Sequence, residues 1–304
     1  MRTLRFHEYG DPAAVLRLEE AAPPEPGPGQ VRVAVQACGL NPADWALCGG
    51  LFAGDLPRGI GLEVAGTVDA LGAGVRGVDV GDAVFGPAPF TGPTAGAAEQ
   101  AVLDIWFPRP PGLGPVAAAA LPMAVETAHR GLDVLGAGAD GTVLVYGAGT
   151  TVGFAAAQMA VRRGARVIAA AGETYADALR AAGAEVTAYG DGLVERVRAL
   201  AGGPVGLALD AGPVSDVLTD LVRTVEAPAH VVTLSNFAAA GALGARAGFA
   251  ARRDDVLGDY ARLAAAGEFT VPVARVFPLE DWRAALERSR SGRARGKLVL
   301  GVAA

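Results

Sequence analysis

The spacing of apolar and polar positions changes character once along the chain. Over residues 1–120 the apolar residues come in short alternating runs. In "QVRVAVQACGLN" (30–41) Val31, Val33 and Val35 alternate with polar or small residues, and the run stops at "NPAD". "EVAGTVDALG" (63–72) repeats the pattern, and Gly/Pro clusters such as "APPEPGPG" and "FGPAPFTGP" separate the runs. A period of two predicts half-buried strands, and many short strands with such turns predict a compact β-barrel-type domain.

From about residue 121 the period changes. "PMAVETAHRGLDVLG" has helical spacing, "TVLVYGAG" is a buried apolar strand, and "VGFAAAQMAVRRG" is a helix. "ARVIAAAG" (strand), "YADALRAAGA" (helix), "EVTAYG" (strand), "GLVERVRALAGG" (helix), "GLALDAG" (strand) and "AHVVTLSN" (strand) follow. Strand and helix in alternation predict a doubly wound parallel sheet. The tail "ARVFPLEDWRAALERSRSGRARGKLVLGV" reads strand, helix, strand and is expected to rejoin the first domain. The predicted class is therefore α/β, with a β-barrel-type domain over 1–120, a nucleotide-binding type of domain over 121–265, and a return to the first domain over 266–304.

"VLVYGAGTTVGFAAAQMA" is a strand, a glycine turn and a helix start. A phosphate turn needs close backbone approach and a helix N-terminus aimed at the charge. Gly147 and Gly149 permit the tight turn, and Gly153 permits close helix–sheet packing. Thr150 occupies a position where glycine is usual, and with Thr151 it adds a hydroxyl. The bare alternative is a tight turn with no ligand.

Composition narrows the partners. Of 304 residues 51% are hydrophobic and 19% charged, and the net charge is −6. With no long basic run, nucleic acid and anionic membrane are not expected as partners. "MRTLRFHEYG" lacks the apolar core of a signal peptide, and no uninterrupted apolar stretch of membrane-spanning length is present. A soluble cytoplasmic protein is expected. The two cysteines, Cys38 and Cys48, are not expected to form a disulfide. Lys297 is the single lysine among 26 basic residues, and a surface strand charge is the expected role.

Several ordered segments resemble the zinc-independent medium-chain dehydrogenase/reductase superfamily, quinone oxidoreductase group. They are "ACGLNPAD", "PRGIGLEVAGTVDALGAGVRGVDVGDAVFG" (57–86), "AAALPMAVETAHRGL" and "GRARGKLVL". The resemblance implies a GroES-like catalytic domain, a Rossmann domain, a nicotinamide cofactor and a homodimer. Zinc alcohol dehydrogenases carry Gly-His-Glu where this chain has Gly61-Leu62-Glu63, and a structural zinc lobe needs four cysteines. No metal is expected, and Cys38 is expected to be a small buried hydrophobe.

The resemblance also implies roles. Asn41 matches an asparagine near the nicotinamide and the substrate carbonyl, and Thr127 a threonine at the nicotinamide end. Tyr189 matches a tyrosine on the adenosine ribose-phosphate. The cofactor-binding set is Asn41, Thr127, Gly147, Gly149, Thr150, Thr151, Val152, Gly153, Thr174, Tyr189, Asp210, Ser235, Asn236 and Phe237. Asp44 is expected to be a structural cap. Where the family pattern has arginine and tyrosine, this chain has Cys48 and Phe52. Trp45, Cys48 and Phe52 are expected to wall a flat apolar substrate pocket, although core packing explains them equally. NADP(H) is expected over NAD(H), because Ala171 stands where an acid would hold the ribose 2′-OH; Glu173 is the rival observation.

The function these features imply is reduction of a conjugated carbonyl, a quinone or an enone, with Asn41 orienting the carbonyl and the proton drawn from solvent. Two alternatives stay open: reduction of a simple aldehyde or ketone, and a nucleotide-binding redox sensor with little catalysis.

Overall fold

The backbone of the first unit is organised around one long strand, Val31–Leu40, in which Val31, Val33 and Val35 are buried at every second position before the whole run becomes buried. In the computed structural model, which describes residues 1–139 and 141–302, this strand pairs antiparallel with Glu63–Leu71 along one edge. Its other edge is shared. Gln100–Leu103 takes the first half and Lys297–Gly301 the last. Ala83–Pro87 and Phe107–Pro108 extend the sheet beyond Glu63–Leu71. Val273–Pro278 lies parallel to Lys297–Gly301, with helix Trp282–Arg290 in the connection. A smaller antiparallel sheet holds Arg2–Phe6, Leu16–Glu20 and Arg58–Gly59. The inward residues of both sheets, among them Leu4, Phe6, Ile60, Val64, Leu103 and Leu300, form one core with Trp282 of the helix.

The chain divides into two compact units, Met1–Met123 with Asp254–Ala304, and Ala124–Arg253. Helix Leu257–Ala265, expected in the 121–265 segment, clusters with the first unit. The reason is local packing, since Gly258 passes against the Phe107 ring.

The second unit is a six-stranded parallel sheet. Its order is Glu185–Thr187, Arg166–Ala170, Thr142–Tyr146, Leu207–Asp210, Val231–Thr233, Arg246–Ala247. Every pairing is parallel. In chain order this is the 3-2-1-4-5-6 arrangement of a Rossmann fold. The central strand is buried over Val143–Val145 because helices cover both faces of such a sheet. Helix Thr151–Arg162 buries the continuous run Gly153–Ala160, half of it alanine, which lets it lie close to the strands. Helix Leu193–Ala201 buries Leu193, Val194 and Val197, one face at helical spacing. Among the described residues, no helix is long and apolar enough to cross a membrane.

Candidate functional site

In the second unit the glycine turn follows the central strand at the carboxyl edge, where the strand order reverses. Ligands of doubly wound sheets bind at that point. Gly147 has φ +75°, and a Cβ there would lie 2.5 Å from the Gly212 amide nitrogen. The turn therefore runs directly against the next turn of the sheet, and only glycine fits. A Cβ on Gly153 would lie 2.1 Å from the Gly147 carbonyl oxygen. Helix Thr151–Arg162 consequently sits on the turn, with the Thr151 and Val152 amides in its first turn, where a helix has no acceptors of its own. Such a terminus favours an anion.

Thr150 explains its own presence. It is the N-cap of this helix. Its hydroxyl accepts from the Gly153 amide at 3.0 Å and donates to the Ala211 carbonyl at 3.0 Å. Its hydroxyl is thus tied to the protein and not free as a ligand donor, a correction to the sequence reading. A glycine there would leave the helix start and the neighbouring turn without this bridge.

Asp210, Ser235 and Asn236 are brought together at the ends of the next two strands. Asp210 is fully buried and accepts from Thr233 Oγ1 at 2.7 Å, Asn236 Nδ2 at 2.6 Å and the Gly212 amide at 3.1 Å. Burial raises its carboxyl pKa, and the bonds from Asn236, Thr233 and Gly212 oppose that rise. Asn236 Oδ1 in turn accepts from the Ser215 amide at 2.8 Å. Asp210 and Asn236 therefore brace the turns and present no free side chain, contrary to their expected role as direct cofactor contacts. Phe237 is exposed and stacks on Phe249 with ring centroids 4.4 Å apart.

At the other flank Ala171 is buried directly after its strand. Glu173 and Thr174 are exposed, and Tyr189 lies over Gly172, whose Cβ position is 3.4 Å from the Tyr189 ring. Thr127 is half-buried on helix Leu121–Leu135, with its hydroxyl 3.4 Å from Glu126 Oε2.

The first unit holds a polar cluster that sequence reasoning missed in part. Lys297 and Glu63 form an ion pair with side chains 1% and 0% exposed. Lys297 is therefore no surface charge, because its strand lies inside the sheet next to Val31–Leu40. Lys297 Nζ donates to Asn41 Oδ1 at 2.6 Å, and Asn41 Nδ2 donates to Glu63 Oε1 at 2.9 Å. Glu63 Oε2 accepts from the Met123 amide at 2.8 Å. Asp44 is the third residue of helix Pro42–Cys48, and its carboxyl reaches back to accept from the N-cap Asn41 amide at 2.7 Å and also from the Gly61 amide at 2.8 Å. It is the cap expected of it. Burial raises its pKa to about 6, against the opposing pull of those two amides.

The expected substrate wall is not assembled as read. Trp45 and Cys48 are buried in the core of the first unit, Trp45 Nε1 donating to Ser289 Oγ at 2.9 Å. The inward face of helix Pro42–Cys48 takes both. Burial pushes the Cys48 thiol up to about 12 and raises that of Cys38 as well. Phe52 alone is exposed, at 68%, with φ +53°. Its ring partner is Phe90, at 5.8 Å. The buried Arg58 guanidinium donates to the Phe52 carbonyl at 2.6 Å and to the Phe90 carbonyl at 2.9 Å, fixing both.

Comparison with known proteins agrees with this architecture. Residues 27–107 match the model of the alcohol dehydrogenase GroES-like domain. Residues 170–300 match that of the zinc-binding dehydrogenases. The spectinabilin polyketide synthase system protein NorB of Streptomyces orinoci is 42% identical over 168 residues, 55% of this chain and 7% of that protein. The chloroplast envelope quinone oxidoreductase homolog of Arabidopsis thaliana is 33% identical over 197 residues, 61% of this chain and 60% of that one. The chain thus spans less than two thirds of these curated relatives. The quinone oxidoreductase structure from Coxiella burnetii superposes with TM-score 0.85 at 26% identity, covering 100% of this chain and 99% of that one. A mycobacterial protein solved in complex with NADPH superposes with TM-score 0.77 at 26% identity, covering 99% and 100%. The chain belongs to the medium-chain dehydrogenase/reductase superfamily, with a GroES-like domain and a Rossmann domain. Quinone oxidoreductases are among its relatives.

Proposed function

We propose that this chain is an NADPH-dependent, metal-independent oxidoreductase that reduces a conjugated carbonyl, a quinone or the C=C of an enone. The observation that carries the reading is the turn at the sheet's switch point, where Gly147 and Gly153 admit no side chain and a capped helix begins. A nicotinamide cofactor fits that cradle, because the clear backbone and the helix N-terminus suit a pyrophosphate. When bound, NADPH supplies the hydride for the reduction.

The chain's own residues then bind and orient. Gly149, Thr151 and Val152 contribute turn and helix amides to the pyrophosphate, with Thr150 holding the helix start. Thr174 and Tyr189 meet the adenosine ribose, and Thr127 serves the nicotinamide end. The preference for NADPH is supported by the absence of a carboxylate at Ala171, and by the NADPH complex of a structural relative. Leu62, buried in the core at the position of a zinc-ligating histidine, supports a metal-free reaction. Phe52 and Phe90 favour a flat apolar substrate. The proton comes from solvent, since a buried thiol held near pKa about 12 is a poor acid and Asn41 carries no acidic proton. A homodimer in the cytoplasm completes the proposal.

Oxidation of NADPH and NADH is to be followed with a panel of enones, quinones and saturated aldehydes. Turnover of the conjugated acceptors with NADPH supports the reading. Turnover of saturated aldehydes alone, or of nothing, overturns it.

A further inference from the structure

We propose that Lys297, paired with Glu63, is a positioning residue that locks the Asn41 carboxamide in one orientation, so that Asn41 meets its ligand as a hydrogen-bond acceptor. This rests on the reductase reading above for its functional consequence, though not for its geometry.

An amide can usually be turned end for end at little cost. Here it cannot. An ammonium only donates, so the Asn41 atom 2.6 Å from Lys297 Nζ is the carbonyl oxygen. A carboxylate in an ion pair only accepts, so the atom 2.9 Å from Glu63 Oε1 is the nitrogen. Turned over, Asn41 would set N–H against ammonium and C=O against carboxylate, two repulsive contacts in a buried place where charges are weakly screened. The second N–H of Nδ2 faces Asp44 Oδ2 at 3.4 Å. The amide protons are thus turned to Glu63 and Asp44, and Oδ1, to which Lys297 donates, is the atom left to meet a ligand's donor. A ligand group that meets Asn41 therefore brings an N–H or O–H, such as a carboxamide or a hydroxyl. Asn41 therefore does not orient a substrate carbonyl through its amide protons, which are engaged by Glu63 and Asp44.

The choice of lysine fits this role. The chain has 26 basic residues, and this is the one that is not arginine. A compact ammonium directs separate N–H groups to Glu63 and to Asn41. A planar guanidinium favours side-by-side bonds to one carboxylate. As a pure stabiliser the pair is a poor choice, since a buried ion pair often does no better than apolar residues of the same volume. Fixing one orientation is what charge adds here.

The test uses the full chain. Only two asparagines are present, Asn41 and Asn236, so side-chain ¹⁵N-asparagine labelling yields two amide pairs, and Asn41→Ala assigns them. The variant Lys297→Met/Glu63→Gln removes both charges together and leaves none stranded; Lys297→Met alone is made beside it. In ligand-free protein the double variant is expected to speed solvent exchange of the Asn41 amide at least tenfold while leaving Asn236 unchanged. Unchanged exchange at Asn41 in a folded double variant overturns the lock. In turnover, Asn41→Ala is expected to lower kcat/KM at least tenfold in the wild-type background and less than threefold in the double variant. Equal factors in both backgrounds also overturn it. If wild type neither binds nor oxidises NADPH, the reductase reading fails, and the exchange measurement still decides the lock.

Discussion

Gly153→Ala puts the packing of the glycine turn under the most direct strain. The added methyl would sit 2.1 Å from the Gly147 carbonyl oxygen, 2.7 Å from the Gly147 carbonyl carbon and 2.9 Å from Ala148 Cα. Carbon and oxygen ordinarily approach no nearer than about 3.3 Å. The helix must therefore retreat from the turn by roughly 1 Å. The turn cannot yield instead, because Gly147 is already backed against Gly212. Helix propensity alone favours alanine by about 1 kcal/mol. Overpacking costs about 1–3 kcal/mol and occasionally more, and here every opposing atom is backbone. Packing is expected to win, with net destabilisation of about 1–2 kcal/mol and at least a tenfold loss of NADPH affinity, about 1.4 kcal/mol. Thr150→Gly is the control. It removes the hydroxyl that bridges Gly153 and Ala211, worth about 1 kcal/mol, and should change NADPH affinity less than about tenfold. Equilibrium urea unfolding and fluorescence titration with NADPH measure both. A Gly153→Ala protein as stable as wild type, or equal losses in the two variants, would refute the reasoning.

Three further outcomes follow from the first unit. Asp44 has a folded pKa raised to about 6, so its contribution to stability is full below about pH 4 and is lost as pH rises through about 6, at most about 3 kcal/mol. Subtracting the unfolding free energies of Asp44→Asn from those of wild type across pH 4.5–7 should show this decline; parallel curves would contradict it. Because the Cys48 thiol is held near about 12, kcat of Cys48→Ala should match wild type between pH 7 and 8, and an ionisation that vanishes with the variant would make the thiol the acid. Elemental analysis of the purified protein should find no stoichiometric zinc, and one tightly held zinc per chain would reverse the metal-free assignment.

The Rossmann unit was legible because its cues are local. Five of its strands, Thr142–Tyr146, Arg166–Ala170, Glu185–Thr187, Leu207–Asp210 and Val231–Thr233, fall inside the apolar runs that predicted them. Helices Leu218–Thr224 and Phe237–Leu243 and strand Arg246–Ala247 did not stand out, the last two lying in an alanine- and glycine-rich stretch without clear periodicity. Helix Pro42–Cys48 was readable in principle, since Asn41, Pro42 and Asp44 form the start signal of a capped helix. Which of its faces turns inward is not, and so in sequence Trp45 and Cys48 read as well as pocket wall as they do as core. The burial of Lys297 was hidden for another reason. Its partner Asn41 lies 256 residues away, and a lone lysine opening an apolar strand looks like a surface charge until the sheet is assembled. The Phe52–Phe90 pair was hidden likewise, because Arg58 ties the nearby Phe52 carbonyl to that of Phe90, 32 residues away.

The proposed reduction places the cofactor's hydride on the β-carbon of an enone and a solvent-exchangeable proton on the α-carbon. It is tested most directly by reducing an active enone with NADPH deuterated on the transferred face, and separately with unlabelled NADPH in D₂O. One deuterium is expected at the β-carbon in the first case and one at the α-carbon in the second. Label on the carbonyl carbon would show carbonyl reduction instead, and no label from NADPH in the product would contradict the reductase outright.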